Sequence, residues 1–319
     1  MKIVAVVVTY NRKKLLEECL EAILKQSEEI FKIVLVDNNS SDGTYEYLKE
    51  KKFLENSKIM YLKLEQNIGG AGGFHEGMKA AQKFQPDWLW IMDDDTIPTT
   101  NCLEELVKPI TSINEKIGYL ASSIYGENGE FMNVPHISQE ISESGYQDWY
   151  KYLSKGIVKI TTATFVSLLI NNDAVKNIGL PVKDYFIWGD DTEYTLRLNR
   201  YYGRCYMIGK SEAIHKRKIA KTLSIYEEDN EKRIEFYYYK IRNTLINNRT
   251  YYGRKKAISY FIKMQLKSLK LLIFPNCKYR LKKFRIIHKA LINYTLKNYN
   301  LKDFKNRFYE LKEYNDEIK

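Results

Sequence analysis

Cysteine is scarce in this chain, and the four present, Cys19, Cys102, Cys205 and Cys277, are scattered with no close pair and no companion histidine spacing. That argues against a disulfide framework and against a zinc site, and it fits a protein kept reduced in the cytoplasm. Long apolar runs are missing as well. No window approaches the roughly 20 apolar residues that cross a bilayer. The stretch Ile3 to Val8 is too short for a signal-peptide core and reads as a buried first strand. Acidic residues are absent from positions 236 to 302, where Lys and Arg number 17. The formal net charge is +11, so the rest of the chain sums to −6. The basic excess therefore belongs to one segment, and it implies a polyanionic partner: nucleic acid, anionic lipid or a diphosphate.

What is present is an alternation of strand and helix over residues 1 to 100, in the manner of a parallel sheet with crossovers. Strands are predicted at Ile3 to Val8, Ile33 to Val36, Ile59 to Leu64 and Trp88 to Met92. Leu15, Leu16, Cys19, Leu20, Ile23 and Leu24 recur at helical spacing between the first two. A glycine-rich loop, Asn67 to Phe74, is predicted to lead into a helix through Lys83, and Thr161 to Ile170 reads as a further strand. At 319 residues the chain can bury a substantial core. The expected organisation is an α/β catalytic domain over 1–235 and a basic helical region over 236–319.

Three consecutive carboxylates, Asp93, Asp94 and Asp95, follow the apolar run Trp88-Leu89-Trp90-Ile91-Met92. Carboxylates crowded at a strand end repel one another unless water or a divalent cation relieves them. A hard, oxygen-ligated ion such as Mn2+ or Mg2+ suits, and it would in turn hold a phosphate-bearing ligand. In open parallel sheets ligands gather at the carboxyl ends of strands. Thr9-Tyr10-Asn11, Asp37, the glycine loop and the aspartates all fall there, so four polar elements converge on one crevice. The glycine loop fails both the dinucleotide fingerprint and the P-loop pattern, which leaves close backbone approach to a ligand or tight helix packing. A second acidic block, Asp190, Asp191 and Glu193, follows the aromatic lead-in Tyr185 to Trp188. It reads as a helix N-cap or as a general base beside tryptophan. His215 stands alone after another strand, as a structural histidine or a ligand.

Taken in order, Val7-Val8-Thr9-Tyr10-Asn11-Arg12, Val36-Asp37-Asn38-Asn39-Ser40-Ser41-Asp42-Gly43, Asn67-Ile68-Gly69-Gly70-Ala71-Gly72-Gly73, Asp93-Asp94-Asp95 and Phe186-Ile187-Trp188-Gly189-Asp190-Asp191 resemble the family 2 inverting glycosyltransferases. The likeness covers about residues 1 to 250. The Gly-Gly-x-Gly-Gly run and the Trp-x-Asp-Asp block look most like galactofuranosyltransferases, with rhamnosyltransferases of polysaccharide assembly as near relatives. The resemblance implies a GT-A fold with a mostly parallel sheet. It places Thr9 and Asn11 beside the nucleotide, Asp37 on the uracil or ribose, Asn67 and Gly70 at the sugar-phosphate pocket, and Asp94 among the nucleotide-sugar contacts. It also implies that Asp93, Asp95 and His215 hold Mn2+ or Mg2+, that Asp191 is the catalytic base, and that Trp188 and Asp190 meet the acceptor. The tryptophan that precedes the paired aspartates in the family is Gly189 here, with Trp188 one place earlier. The implied donor is UDP-galactofuranose, with a dTDP-sugar as the alternative, and the acceptor a lipid-linked surface glycan.

From Arg254 to Lys289, Ile258, Phe261, Ile262, Leu266, Leu269 and Leu272 interleave with lysines at helical spacing, with Pro275 dividing two helices. A basic amphipathic pair suits an anionic membrane surface or simple packing on the catalytic domain. The expected location is therefore cytoplasmic, peripheral on the inner face of the cell membrane. Arg242, in Tyr237-Tyr238-Tyr239-Lys240-Ile241-Arg242-Asn243, is a candidate contact for an acceptor diphosphate. The rival readings are a nucleic-acid-binding protein, which leaves Asp93 to Asp95 unexplained, and a nucleotidyltransferase, which releases pyrophosphate instead of a nucleoside diphosphate.

Overall fold

The computed structural model describes residues 1–217, 224–273 and 277–296. The first part follows the predicted alternation: β1 Ile3–Thr9, α1 Lys13–Leu24, β2 Lys32–Asp37, α2 Thr44–Glu50, β3 Ile59–Lys63, α3 Gly69–Ala81 and β4 Trp88–Asp93. Then come β5 Thr96–Pro98, α4 Cys102–Val107, β6 Ile117–Tyr125, β7 Phe131–Met132, β8 His136–Ile137, β9 Ile157–Thr162 and β10 Leu168–Asn171. Next are α5 Asn172–Ile178, α6 Asp190–Tyr201 and β11 Arg204–His215, and three helices follow: α7 Glu231–Tyr252, α8 Arg254–Ile273 and α9 Arg280–Leu296.

β1 is apolar on both faces because helices cover both. Ile3, Ala5 and Val7 pack with Leu16, Cys19, Leu20 and Ile23 of α1, whereas Val4, Val6 and Val8 pack under Phe74 and Met78 of α3. The strand order is β3-β2-β1-β4-β10-β6-β11-β9-β8, with β5 paired to β11 and β7 to β6. β1 runs parallel to β2 and β4, β2 to β3, and β6 to β11. β10 is antiparallel to both β4 and β6. The sheet is thus mostly parallel, as expected, and the carboxyl ends of β1 to β4 open on one edge.

Two local expectations are revised. Thr161 to Ile170 is not one strand: β9 ends at Thr162 beside β11, and the chain turns, with Ser167 at φ 56°, before β10 enters between β4 and β6. The intervening Ala163, Phe165 and Val166 are apolar because they are buried, not because they pair. The glycine run is not a loop but the opening of α3. A Cβ on Gly73 would lie 2.5 Å from Val8, and one on Gly77 2.6 Å from Val6, so these two glycines let the helix sit directly on the sheet.

The last three helices form a core of their own, with Ile234, Tyr237, Ile241 and Leu245 of α7 against Met264 and Leu271 of α8 and Ile286, Ile287 and Leu291 of α9. α7 also belongs to the first part, where Ile246 packs on Ala71, Val182 and Tyr185. The boundary expected between residues 235 and 236 therefore falls within one helix. Pro275 lies outside the described residues. Among the described residues no helix is long and apolar enough to cross a membrane.

Candidate active site

β4 delivers Asp93, and the turn that follows holds Asp94 and Asp95 against the end of β1. Thr9 Oγ1 donates to Asp94 Oδ2 at 2.7 Å, and Arg12 Nη1 donates to Asp94 Oδ1 at 3.1 Å and Asp95 Oδ2 at 2.6 Å. β11 ends on His215, whose Nε2 lies 3.1 Å from Asp95 Oδ1 and whose Nδ1 lies 2.8 Å from Asn133 Oδ1. One ligand atom each from Asp93, Asp95 and His215 lies within 4.8 Å of the others. The residues named from the sequence as a metal set, with Asp95 and His215 120 positions apart, are brought together by the pairing of β5 with β11.

The electrostatics show what the cluster needs. Burial, then Asp95 and Asp94, push the Asp93 carboxyl well above the usual carboxylate range, with Arg12 opposing. Asp94 is pushed up to about 6, by burial before Asp95. Asp95 goes the other way: burial raises it, but His215 and Arg12 together outweigh burial. If Nδ1 donates to the Asn133 oxygen, Nε2 meets Asp95 acceptor to acceptor unless a proton or a cation lies between them. Two carboxylates and an imidazole, crowded and only partly neutralised by Arg12, fit a divalent cation.

The donor-side residues line the same edge. Asp37 is buried at the end of β2, accepting from the Ser40 amide at 2.7 Å and from the Tyr61 hydroxyl. Asn11, at φ 55°, accepts from the Ser41 amide at 2.7 Å and so couples the β1 and β2 loops. Asn67 Oδ1 accepts from the Gly69 amide at 2.8 Å, and Gly70 has open space where a Cβ would stand. Asn38, not singled out from the sequence, ties β2 to α3: its Nδ2 donates to Gly69 O and its Oδ1 accepts from the Ile68 amide.

The segment carrying Trp188, Asp190 and Asp191 is clamped from two sides. Phe186 and Trp188 hold positive φ of 64° and 60°, a strained backbone for side chains of this size. Ala71 N donates to Phe186 O at 3.1 Å from the α3 side. From α7, Asn243 Nδ2 reaches the carbonyls of Tyr185, Ile187 and Trp188, and Asn247 Nδ2 that of Gly189. Arg242 is buried in this clamp: Nη2 donates to Asp184 O at 2.7 Å and Tyr185 O at 3.3 Å, and Nε to Asn243 Oδ1. Its guanidinium is therefore committed to backbone carbonyls, not displayed to the crevice. Asp190 is buried and pushed up to about 8, by burial and then by Asp191. Asp191 is also raised, chiefly by burial, but it is partly exposed, and its Oδ1 accepts from the amide and hydroxyl of Thr192. Between Asn133 and Thr192 lies a cavity of about 430 Å³ whose wall includes Phe131, His136, Thr164 and Arg217.

Sequence reasoning missed Arg12 as a bridge, Asn133 behind His215, and the asparagines of α7. Arg12 adjoined a motif already singled out. Asn133 lies in an irregular stretch with no local signal.

Comparison with known proteins agrees with this geometry. The profile described as "Glycosyl transferase family 2" matches residues 4–171. Galactofuranosyltransferase GlfT1 of Mycolicibacterium smegmatis is 27% identical over 217 residues, 63% of this chain and 67% of that protein. Glycosyltransferase GlyG of Streptococcus pneumoniae serotype 4 is 32% identical over 105 residues, so the chain spans about a third of that relative, with 34% of its length covered. Among solved structures, Staphylococcus aureus TarS 1–349 superposes with a TM-score of 0.54 at 18% identity, covering 94% of this chain and 93% of that one. GalNAc-T7, solved with UDP, GalNAc and Mn2+, gives 0.62 at 18% identity over 90% of this chain and 55% of that one. These likenesses establish a GT-A fold, and the profile establishes the family: the chain belongs to glycosyl transferase family 2 and is a glycosyltransferase.

Proposed function

We propose that this glycosyltransferase is inverting and metal-dependent, moving galactofuranose from UDP-galactofuranose onto a lipid-linked surface glycan at the cytoplasmic face of an anionic membrane. The observation that carries the reading is the convergence of Asp93, Asp95 and His215 with Asp37 and the Asp191 segment on one sheet edge. The relative GlfT1 is itself a galactofuranosyltransferase, and TarS has been solved with UDP and with UDP-GlcNAc.

Asp93, Asp95 and His215 would hold Mn2+ or Mg2+, which when bound neutralises charge developing on a departing diphosphate. Asp37 and Asn11 would hold the nucleoside, while Thr9 keeps Asp94 oriented within the cluster. Arg12 already neutralises part of the charge of Asp94 and Asp95, and its side chain stays half-exposed at the crevice. Asp191 takes the proton of the attacking acceptor hydroxyl. Its Oδ1 accepts from Thr192, so the proton would be taken on the other carboxylate oxygen. One displacement by that hydroxyl inverts the anomeric carbon. The cavity between Asn133 and Thr192, whose wall ends one residue from Asp191, would take the transferred sugar.

The membrane partner rests on α8. Ile258, Ile262, Leu266, Leu269 and Ile273 recur every three to four residues and are each 51–75% exposed, while Ala257, Met264 and Leu271 face the helical core. The helix contains no acidic residue, and Lys263 and Lys270 flank the apolar stripe. An exposed apolar stripe beside lysines fits a headgroup interface.

Thermal-shift titration with UDP and dTDP, each with and without Mn2+, on wild type and Asp95→Ala tests the donor reading. Mn2+-dependent stabilisation by UDP that Asp95→Ala abolishes is the expected result. A preference for dTDP would redirect the donor to rhamnose, and no response to either nucleotide would refute the reading.

A further inference from the structure

Beside Trp188 cations gather that nearby carboxylates balance only in part: Arg217 feels Asp93 and Asp95, and Arg233 is paired with Glu228. The ring of Trp188, two residues before Asp190, is approached by Arg233 and by Lys240, each 5.8 Å from the ring centroid. Lys240 also lies 5.4 Å from the ring of Tyr237. Its ammonium is held below the usual lysine range, first by burial and then by Lys267, Arg233 and Arg217, so these three cations each lie within electrostatic reach of Lys240. Arg233 has Glu228 at 2.9 Å. Among the described residues, Arg217, Lys240 and Lys267 have no ion-pair partner. Arg217 also forms part of the wall of the cavity beside Asn133 and Thr192, and Lys267 stands on α8.

Like charges brought together in a partly desolvated cleft repel one another, and aromatic faces offset only part of that repulsion. A di- or trivalent anion relieves it. Arg242, the cation expected from sequence to meet an acceptor phosphate, is occupied by the carbonyls of the 184–185 segment. The donor diphosphate would be held elsewhere, through a divalent cation on Asp93, Asp95 and His215. We propose that Arg217, Arg233, Lys240 and Lys267 form a second anion subsite, which holds the diphosphate of a lipid-linked acceptor while Trp188 packs beside it. This rests on the glycosyltransferase reading above. Held there, the acceptor is anchored next to the segment that carries Asp191, so its sugar hydroxyl is offered to the base.

Three phosphate sources share this chemistry: acceptor diphosphate, donor diphosphate and phospholipid headgroup. Calorimetric titration of the full chain, saturated with UDP and Mn2+, separates them using farnesyl diphosphate, farnesol and inorganic pyrophosphate as probes. Farnesyl diphosphate should bind with UDP present, Lys240→Gln should weaken it about tenfold, and Lys240→Arg should restore it. Farnesol should bind at least tenfold more weakly than its diphosphate, and pyrophosphate should bind and lose affinity in Lys240→Gln. Displacement of farnesyl diphosphate by UDP, unchanged affinity in Lys240→Gln, or equal binding of farnesol would overturn the subsite. Loss of phosphatidylglycerol-vesicle binding in Lys240→Gln with farnesyl diphosphate affinity intact would assign the cluster to phospholipid and overturn it too. The Mn2+-dependent UDP shift of the same samples shows that each variant folds. Failure of that shift in wild type would count against the donor reading, whereas the subsite is judged on farnesyl diphosphate alone.

Discussion

Gly69 and Gly70 are neighbours at the start of α3, and replacing each by alanine should have opposite effects. Gly69 has φ 78°, and a Cβ there would lie 2.0 Å from Phe186 O and 2.6 Å from its carbonyl carbon. The left-handed backbone alone costs an L-residue about 1–2 kcal/mol. The carbonyl must also retreat, which strains or breaks the Ala71 N to Phe186 O hydrogen bond, a loss of about 1 kcal/mol. Gly69→Ala should therefore destabilise the fold by roughly 3 kcal/mol, lowering Tm by several degrees in a chain of this size. A Cβ on Gly70 meets nothing within 4 Å, so Gly70→Ala should be neutral or should gain up to about 1 kcal/mol of helix propensity. Paired thermal and urea denaturation curves measure both. Phe186 belongs to the segment that carries Asp190 and Asp191, so Gly69→Ala should also lower transfer more than it weakens UDP binding. Gly70→Ala should do the reverse if the open space above it receives the donor. Equal Tm shifts in the two variants would refute the clamp between α3 and the 184–189 segment.

Other consequences follow from the same geometry. Asp191→Asn should retain Mn2+-dependent UDP binding and lose about 10²- to 10⁴-fold in turnover, as expected for removal of a general base; near-normal turnover would remove Asp191 from that role. Asp190, pushed up to about 8, keeps a proton in the folded state that the unfolded chain releases near pH 4, so its contribution to stability is full below about pH 4 and declines as pH rises toward 8. Asp190→Asn should flatten that decline in metal-free protein and gain most at pH 8. Urea midpoints that fall in parallel for wild type and variant between pH 5 and 8 would contradict the assignment. Replacing Ile262 and Leu266 of α8 by aspartate removes about 1 kcal/mol of apolar burial at each half-exposed site and adds charge repulsion. Partition onto phosphatidylglycerol vesicles should then drop by more than tenfold with Tm unchanged, and sedimentation that shows equal partition would end the membrane role of α8.

Much of the site was legible before the fold, because chemistry-bearing residues followed strands that could be read from their apolar runs. Asp37 after Val34-Leu35-Val36 and Asp93 after Trp88 to Met92 lie where a parallel sheet delivers ligands, and the apolar periods alone placed them there. The mostly parallel sheet, the segregated basic region and the exposed side of α8 follow from the same local patterns of apolarity and charge. Local pattern could not say whether Gly69 to Gly73 was a loop or a helix start, since glycine permits both. Packing against Val6 and Val8 decided it. Nor could it separate β9 from β10, because burial and strand pairing both select apolar residues. The role of Arg242 was likewise beyond the sequence: an arginine among tyrosines reads as a free cation, and only the docking of α7 on the 184–189 segment turned it to backbone carbonyls. Sequence by itself determined which residue types stand at strand ends and where charge accumulates, since those depend on neighbours along the chain. Tertiary structure alone decided that His215 meets Asp95, that Arg12 spans Asp94 and Asp95, and that Lys240 joins Arg233 over Trp188, because each depends on elements brought together across the sheet or the helical core.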